Sequence, residues 1–154
     1  MRWNSHLLFG LLFALIWISV FGVSNNWIFL GFVLFASLLP DIDHPQSKVG
    51  RKVKPLSWLI NNVFGHRGIF HSIWPVLGLY IVFVYLLDWR LAGLGLCVGF
   101  FSHLVSDALT LDGVNFGHPF RAKVSGFVRT GGTSEWFFFF VVGILCFLRI
   151  NVLL

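Results

Sequence analysis

The chain has 154 residues, of which 57% are hydrophobic and only 11% are charged, and its mean hydropathy is +0.85. This balance excludes an ordinary soluble domain, in which about 25% of the residues are charged. The formal net charge of +5 does not indicate a nucleic-acid-binding protein, because the basic residues flank apolar stretches and no nucleic-acid-binding module surrounds them; membrane topology and anionic lipids explain this charge better.

Five apolar stretches follow one another along the chain, at residues 7–23, 27–39, 69–87, 91–111 and 136–154. Most of them approach the roughly 20 residues that an α-helix needs to cross a bilayer. We therefore predict an all-α fold, a polytopic membrane bundle of about five transmembrane helices, with residues 1–154 forming one domain. The first stretch opens with His6 and has no A-x-A-like cleavage site, which favours a retained helix over a signal peptide.

The basic residues predict the orientation of the bundle. Nine of the eleven lysines and arginines precede the first stretch or lie in the loops after the second and fourth, and only Arg90 and Arg149 lie elsewhere. Loops rich in lysine and arginine stay in the cytoplasm. We expect a multi-pass protein of the inner cell membrane, with its N-terminus inside and its C-terminus outside.

Histidines and carboxylates collect at the same predicted cytoplasmic face. Ionisable residues in membrane segments are costly and usually functional. Nine of them lie at this end of the five stretches: His6, Asp41, Asp43, His44, His66, His71, His103, Asp107 and Glu135. Asp112 and His118 follow in the loop after the fourth stretch, and only Asp88 among the acidic residues lies in the opposite turn. The sequence therefore predicts a cluster at one membrane surface.

Three short motifs within this set favour metal ligation. His103 and Asp107 are four residues apart, so they share one face of a helix. The segment PDIDHP at residues 40–45 has two prolines that end the helix and present paired carboxylates. The segment GHRGIFHS at residues 65–72 adds two imidazoles beside glycines that permit a close backbone approach. Imidazoles and carboxylates without thiolates suit zinc, and also manganese or iron.

The same residues suggest chemical roles. A metal in such a site polarises a scissile carbonyl or phosphoryl group and activates water, and a spare carboxylate acts as the base. Asp43 or Glu135 could be that carboxylate. Arg67 could hold an anionic substrate through bidentate hydrogen bonds, although a basic residue that only sets topology is nearly as good an explanation. Cys97 and Cys146 lie in apolar stretches without a CxxC partner and are expected in the core.

The motifs resemble those of the YdjM-like family of membrane-bound metal-dependent hydrolases, which is also described as LexA-binding and inner membrane-associated. The resemblance covers LLPDIDHPQS at residues 38–47, FGHRGIFHS at 64–72 and GFFSHLVSDALTLDGVNFGHPF at 99–120, and it extends from the HLLF that begins at His6 to Glu135. That family is distantly similar to zinc-dependent phospholipases C and nucleases. The resemblance implies one to three divalent metal ions and a phosphoester or lipid-borne substrate. Its implied metal ligands are His6, Asp41, Asp43, His66, His71, His103, Asp107 and Glu135.

Two other classes of function remain open at this point. A metal or proton transporter could use the same residues, but transport sites usually lie near the middle of the bilayer, whereas these lie at one end. A membrane protein with a structural metal would have a closed site without an open coordination position. An intramembrane zinc protease is disfavoured because the sequence has no H-E-x-x-H motif. We therefore expect a membrane-bound hydrolase whose partners include membrane lipids.

Overall fold

The structure is a computed structural model that describes residues 1–23, 25–64 and 68–153. Within this part of the chain there are six α-helices: α1 (Trp3–Phe21), α2 (Asn26–Ala36), α3 (Lys54–Phe64), α4 (Ile73–Leu79), α5 (Arg90–Ala108) and α6 (Thr133–Leu153). A π-helical segment, Tyr80–Leu86, extends α4, and 3₁₀ turns form at Pro40–Asp43, Gly50–Val53 and Ile69–His71. After α5, strand β1 (Val114–Asn115) pairs with strand β2 (Lys123–Val124) in an antiparallel sheet.

The predicted all-α membrane bundle is confirmed, with one difference in the number of full-length spans. Four described segments are long and apolar enough to cross a membrane, namely Trp3–Phe21, Asn26–Asp43, Arg90–Ala108 and Thr133–Asn151. The third predicted stretch, 69–87, is shorter than expected because its first residues form a 3₁₀ turn. The apolar helix that remains is Ile73–Leu86, which rises at most about 21 Å at the α-helical 1.5 Å per residue against a hydrocarbon core of about 30 Å.

Helix α3 differs from the sequence prediction, which has residues 54–64 in the basic loop between the second and third apolar stretches. Its apolar side chains Leu56, Leu59 and Val63 recur at helical spacing, and they are 48%, 54% and 62% exposed. The opposite side of the helix faces the protein through the buried Ser57 and through Asn61, whose Nδ2 donates to the carbonyl oxygen of Asp43 at 2.8 Å. Such an amphipathic helix is typical of a segment that lies along a membrane surface.

The core lies where α1, α2 and α5 meet. Ala14 and Ile18 of α1 pack with Phe29 and Val33 of α2 and with Val98 of α5. Helix α6 joins the bundle against α1, where a second buried cluster contains Phe9, Leu15, Val142 and Cys146. Both cysteines are free and buried, as expected.

Two glycines bring α5 unusually close to α2. A Cβ atom at Gly99 would lie 2.1 Å from the carbonyl oxygen of Val33, and one at Gly95 would lie 2.7 Å from the Cβ of Phe32. Small residues four apart allow membrane helices to pack backbone against backbone. His103 is the next residue on the same face of α5, so this packing carries its side chain to the end of the α2 span.

Candidate metal centre

One end of the bundle brings six of the predicted residues together. His6 is in the first turn of α1, Asp41 and Asp43 are in the 3₁₀ turn after α2, His71 is in the 3₁₀ turn before α4, and His103 and Asp107 are in the last turns of α5. The three histidines and Asp43 are fully buried, and Asp107 is 2% exposed. Five of these six ionisable side chains are thus almost fully buried, which is costly unless their charges are balanced.

Asp107 lies at the centre of this cluster. Its Oδ1 is 3.5 Å from Nε2 of His6. Its Oδ2 is 3.7 Å from Nε2 of His71 and 3.6 Å from Nε2 of His103. These separations exceed the 2.7–3.2 Å of an N–H···O hydrogen bond. All three histidines therefore point Nε2 toward the Asp107 carboxylate, but none of these nitrogens is close enough to form a hydrogen bond with it.

The other ring nitrogen of each histidine is held by a hydrogen bond. Nδ1 of His103 lies 2.8 Å from the carbonyl oxygen of Ser37, which can only accept, so this Nδ1 carries the proton. Nδ1 of His6 lies 2.7 Å from Oγ of Ser106, and that hydroxyl donates its own hydrogen to the carbonyl oxygen of His103. Hence His6 also donates from Nδ1. In the neutral imidazole of His103 the Nε2 lone pair is then available for a ligand.

His71 is oriented by a carboxylate. Its Nδ1 lies 2.9 Å from Oδ2 of Asp43, and both side chains are buried. An imidazole that donates one N–H to a carboxylate while presenting the other nitrogen is the arrangement that commonly supports a metal-bound histidine. The Oδ2 oxygen of Asp43 thus orients His71, and the role of Asp43 as a metal ligand or a base stays a prediction.

The imidazole rings also pack on one another. The rings of His6 and His103 are stacked with centroids 3.8 Å apart and planes 9° from parallel. The ring of His71 meets that of His103 edge to face at 5.3 Å. Two stacked imidazolium cations would repel each other in this buried site, which favours neutral rings as ligands.

The donor geometry fits a divalent cation. His71, His103 and Asp107 each offer one ligand atom within 4.8 Å of the others, and so do His6, Asp41 and His103. Ligands about 2.0–2.2 Å from a tetrahedral zinc are roughly 3.4 Å apart, close to the observed separations. Among the described residues, Nε2 of His103 is buried without a hydrogen-bond partner, although it faces carboxylates on two sides. The Nε2 lone pair of His103 can bind only one ion, so the two sets of ligands cannot use His103 at the same time.

Positive charge already lies on one side of Asp107. The α-ammonium group of Met1 donates to Oδ1 at 2.5 Å. The carbonyl oxygen of Met1 lies 3.2 Å from Nε2 of His6; a carbonyl oxygen only accepts, so this contact competes with metal binding at Nε2 of His6. The Oδ2 side, which faces His71 and His103, is consequently the position that a cation can occupy without displacing this contact.

Glu135 lies apart from these groups. Its Oε1 accepts hydrogen bonds from the backbone N–H of Arg2 at 2.6 Å and from the hydroxyl of Ser5 at 2.8 Å. Its Oε2 accepts from the backbone N–H of Gly131 at 2.6 Å. The side chain therefore connects the start of α6 to the start of α1, next to the centre but with both oxygens engaged.

His44 and His118 are less central among the described candidates. His66 and Arg67 lie outside the described residues. His44 is half-buried and borders the cavity described next. His118 contributes its carbonyl oxygen to a 2.6 Å hydrogen bond from Nε1 of Trp74, in the loop beyond α5.

Two cavities flank the 3₁₀ turn Pro40–Asp43. A polar cavity of about 620 Å³ is bordered by Asp41 on one side of the turn. An apolar cavity of about 380 Å³ is bordered by Ile42 on the other side, together with residues of α3, α4 and α5. The polar cavity is lined by Met1, Arg2, Trp3, Asp41, His44, Gln46, Ser47, Lys48 and Arg51. Through Asp41 this cavity borders the centre.

Three supporting residues were missed by the sequence analysis. The Ser37 carbonyl and the Ser106 hydroxyl fix two of the imidazoles, and Asn61 holds the backbone of Asp43. Serine is common in membrane helices, so neither serine stood out. Asn61 could have been found, because it lies on the polar side of a segment with an amphipathic helical repeat.

Comparisons with known proteins identify the family. The chain is 38% identical over 102 residues to YvsG of Bacillus subtilis (strain 168), covering 64% of this chain and 63% of that protein. It is 37% identical over 100 residues to the inner membrane protein YdjM of Escherichia coli (strain K12), covering 62% of this chain and 51% of that protein. The chain thus spans between about half and 63% of the length of these curated relatives. No solved structure matches it. The model of the family described as "YdjM inner membrane protein" matches residues 1–153, and the chain belongs to this family.

Proposed function

We propose that this chain is a membrane-bound hydrolase that uses a divalent metal, zinc best of all, to cleave a phosphoester. The observation that carries the proposal is the convergence of three imidazole Nε2 atoms on the carboxylate of Asp107 at 3.5–3.7 Å. This gap is too wide for hydrogen bonds and suits a cation between the groups. When bound, the metal would polarise the scissile group and activate water for attack.

The chain's own residues divide into holding and orienting groups. His71, His103 and Asp107 would hold the metal, and His6, Asp41 and His103 provide an alternative position. Asp43, Ser106 and the Ser37 carbonyl keep each imidazole in the tautomer whose Nε2 faces the centre. Such supporting hydrogen bonds fix ring orientation before binding and raise the basicity of the ligand.

Asp41 is the carboxylate that we assign to proton transfer. Its side chain is 18% exposed and borders the polar cavity, so it can meet a substrate or a water molecule. Asp43 bonds to His71, and both oxygens of Glu135 accept hydrogen bonds. The base that we predicted at Asp43 or Glu135 is therefore better assigned to Asp41.

The position of the centre supports hydrolysis over transport. The ligands come from the first turn of α1 and the last turns of α5, and therefore from one end of the bundle. A transport site would be expected near the middle of the spans. The polar cavity at Asp41 supports an accessible centre, in contrast to the closed coordination of a structural metal.

Metal content and phosphoesterase activity of the detergent-purified protein test the proposal together. Wild type should contain about one zinc or manganese ion per chain and cleave a chromogenic phosphoester. His103→Ala and Asp107→Ala should lose both the metal and the activity. The matched controls are His118→Ala and Asp88→Ala, which remove the same groups outside the cluster and should change neither quantity.

Each outcome is informative. A wild type that takes up no zinc or manganese would contradict the metal centre, and the cluster would then be a polar contact between helices. Stoichiometric metal that the two cluster variants lose, with no activity on phosphoesters or carboxylic esters, would favour the structural role.

A further inference from the structure

The polar cavity beside the centre has a basic wall. Arg2, Lys48 and Arg51 line it, whereas Asp41 is its acidic residue. The formal charge of these four side chains is +3 from the basic residues and −1 from Asp41, hence +2. A positively charged cavity would repel metal cations, so admission of metal ions alone does not explain its basic residues.

We propose that Lys48 and Arg51 form an anion subsite that binds the phosphate group of the substrate next to the metal centre. The inference rests on the proposed function, since it names the substrate group that the centre would act on. The cavity of about 620 Å³ falls within the range of about 300–1,000 Å³ that is usual for small-molecule sites. Guanidinium groups match phosphate oxygens in a bidentate way, and lysine adds a point charge.

Lys48 and Arg51 are held by contacts that leave donors available, whereas the guanidinium of Arg2 lies over the ring of Trp136 at 5.6 Å and donates to the carbonyl oxygen of Gly131 at 3.5 Å. Nζ of Lys48 lies 3.3 Å from the ring centroid of Trp3, which positions the ammonium through a cation–π interaction. Nε of Arg51 donates to the carbonyl oxygen of Ser47 at 3.4 Å, and its terminal nitrogens remain for another acceptor.

Ser47 connects this wall to the centre. Its hydroxyl donates to the backbone carbonyl of Asp41 at 2.7 Å and accepts from the backbone N–H of Gly50 at 2.8 Å. The loop that carries Lys48 and Arg51 is therefore fastened to the turn that carries Asp41. A phosphate in the cavity would meet the basic wall and the candidate base at once.

The simpler explanation is that these residues only fix membrane topology. Lys52 and Lys54 separate the two explanations, because they belong to the same basic segment but do not line the cavity. If these residues only set the membrane topology, replacing either pair would remove the same positive charge and would have the same effect. The double variants Lys48→Gln/Arg51→Gln and Lys52→Gln/Lys54→Gln are thus matched in charge and in position along the chain.

Binding of inorganic phosphate to the full-length, manganese-loaded protein tests the subsite without requiring turnover. Paramagnetic broadening of the phosphorus-31 signal reports phosphate near the metal. We expect Lys48→Gln/Arg51→Gln to raise the Kd for phosphate at least about fivefold with unchanged metal content, and Lys52→Gln/Lys54→Gln to change it less than twofold. Equal effects of the two double variants, or no phosphate binding by wild type, would overturn the subsite.

The same experiment separates the subsite from the proposed function and distinguishes two sources of phosphate. If wild type binds no metal, titration calorimetry with phosphate still tests Lys48 and Arg51, and the hydrolase proposal alone fails. Competition by dihexanoyl phosphatidic acid micelles and by glycerol 3-phosphate then identifies the source. Stronger competition by the lipid indicates a headgroup that extends into the bilayer, and equal competition indicates a soluble phosphoester; both results require the subsite.

Discussion

At the scale of single residues, the centre depends on which nitrogen of each histidine is protonated. The backbone carbonyl of Ser37, the hydroxyl of Ser106 and the carboxylate of Asp43 each occupy an Nδ1 position. The three Nε2 atoms are left facing Asp107. These partners come from different helices, so the protonation pattern is a property of the packed bundle.

Asp43→Asn tests whether Asp43 supports His71 or binds the metal itself. The amide oxygen of asparagine can still accept from Nδ1 of His71, but without the negative charge. We expect metal affinity to fall by about 10–100-fold, whereas Asp107→Asn should abolish measurable binding. Titration with a zinc indicator checks this, with Asp88→Asn as the control at the opposite end. A loss as complete as that of Asp107→Asn would make Asp43 a direct ligand.

Glu135→Gln should affect stability more than metal binding. Both oxygens of the Glu135 carboxylate accept from donors at the start of α1 and before α6, and an amide supplies only one accepting oxygen. The Tm in detergent should fall by roughly 5 °C, with metal content unchanged. Loss of the metal without a change in Tm would contradict this expectation and would support Glu135 as a metal ligand, as the sequence predicted.

At the scale of elements, the ends of the helices were predictable but several of the elements between them were not. The site residues lie next to the ends of apolar stretches or, like His103 and Asp107, in the second half of one, so their gathering at one face followed from membrane topology. The 3₁₀ turn before α4 and the π-helical Tyr80–Leu86 depend on tertiary packing that no local pattern reports. Helix α3 did carry a signal, the spacing of Leu56, Leu59 and Val63, which the nearby basic residues obscured.

The role of Glu135 shows the same limit at the site. An acidic residue at the start of a membrane span is compatible with a ligand, a base or a link between helices. Its three hydrogen-bond donors are the Arg2 backbone, Ser5 and the Gly131 backbone. Two of these donors are backbone N–H groups. That of Arg2 is more than 100 residues from Glu135 in the sequence, and that of Gly131 lies in a glycine turn, so motifs of side chains do not reveal either donor.

Gly99→Ala tests the contact between α5 and α2 that carries His103. The new Cβ would lie 2.1 Å from the Val33 carbonyl oxygen, so the helices must separate and the Ser37–His103 hydrogen bond must lengthen. We expect destabilisation of about 1–3 kcal/mol and about tenfold weaker metal binding. Gly31→Ala on α2 is the control, because nothing lies within 4 Å of its added Cβ. An equal response to both substitutions would contradict this coupling.

At the scale of the whole molecule, the function requires the centre to face one compartment. The distribution of lysine and arginine predicts that this compartment is the cytoplasm. Asp88→Cys, in the turn before α5, should react with a membrane-impermeant maleimide from outside the cell. Lys52→Cys should react only after the membrane is opened. The native cysteines are buried and give little background, and the reverse pattern of labelling would invert the proposed orientation.

The short helix Ile73–Leu86 has a consequence for the lipid around the protein. Its side chains Tyr80, Ile81, Tyr85 and Leu86 are 48%, 51%, 78% and 66% exposed, so this helix borders acyl chains along a height of at most about 21 Å. Hydrophobic mismatch of this size is relieved when the bilayer thins locally, which draws headgroups inward beside His71. If the proposed hydrolase function holds, its turnover in reconstituted bilayers should then decline as acyl chains lengthen from 14 to about 22 carbons, and the thickness of the host membrane would itself control the rate of the reaction.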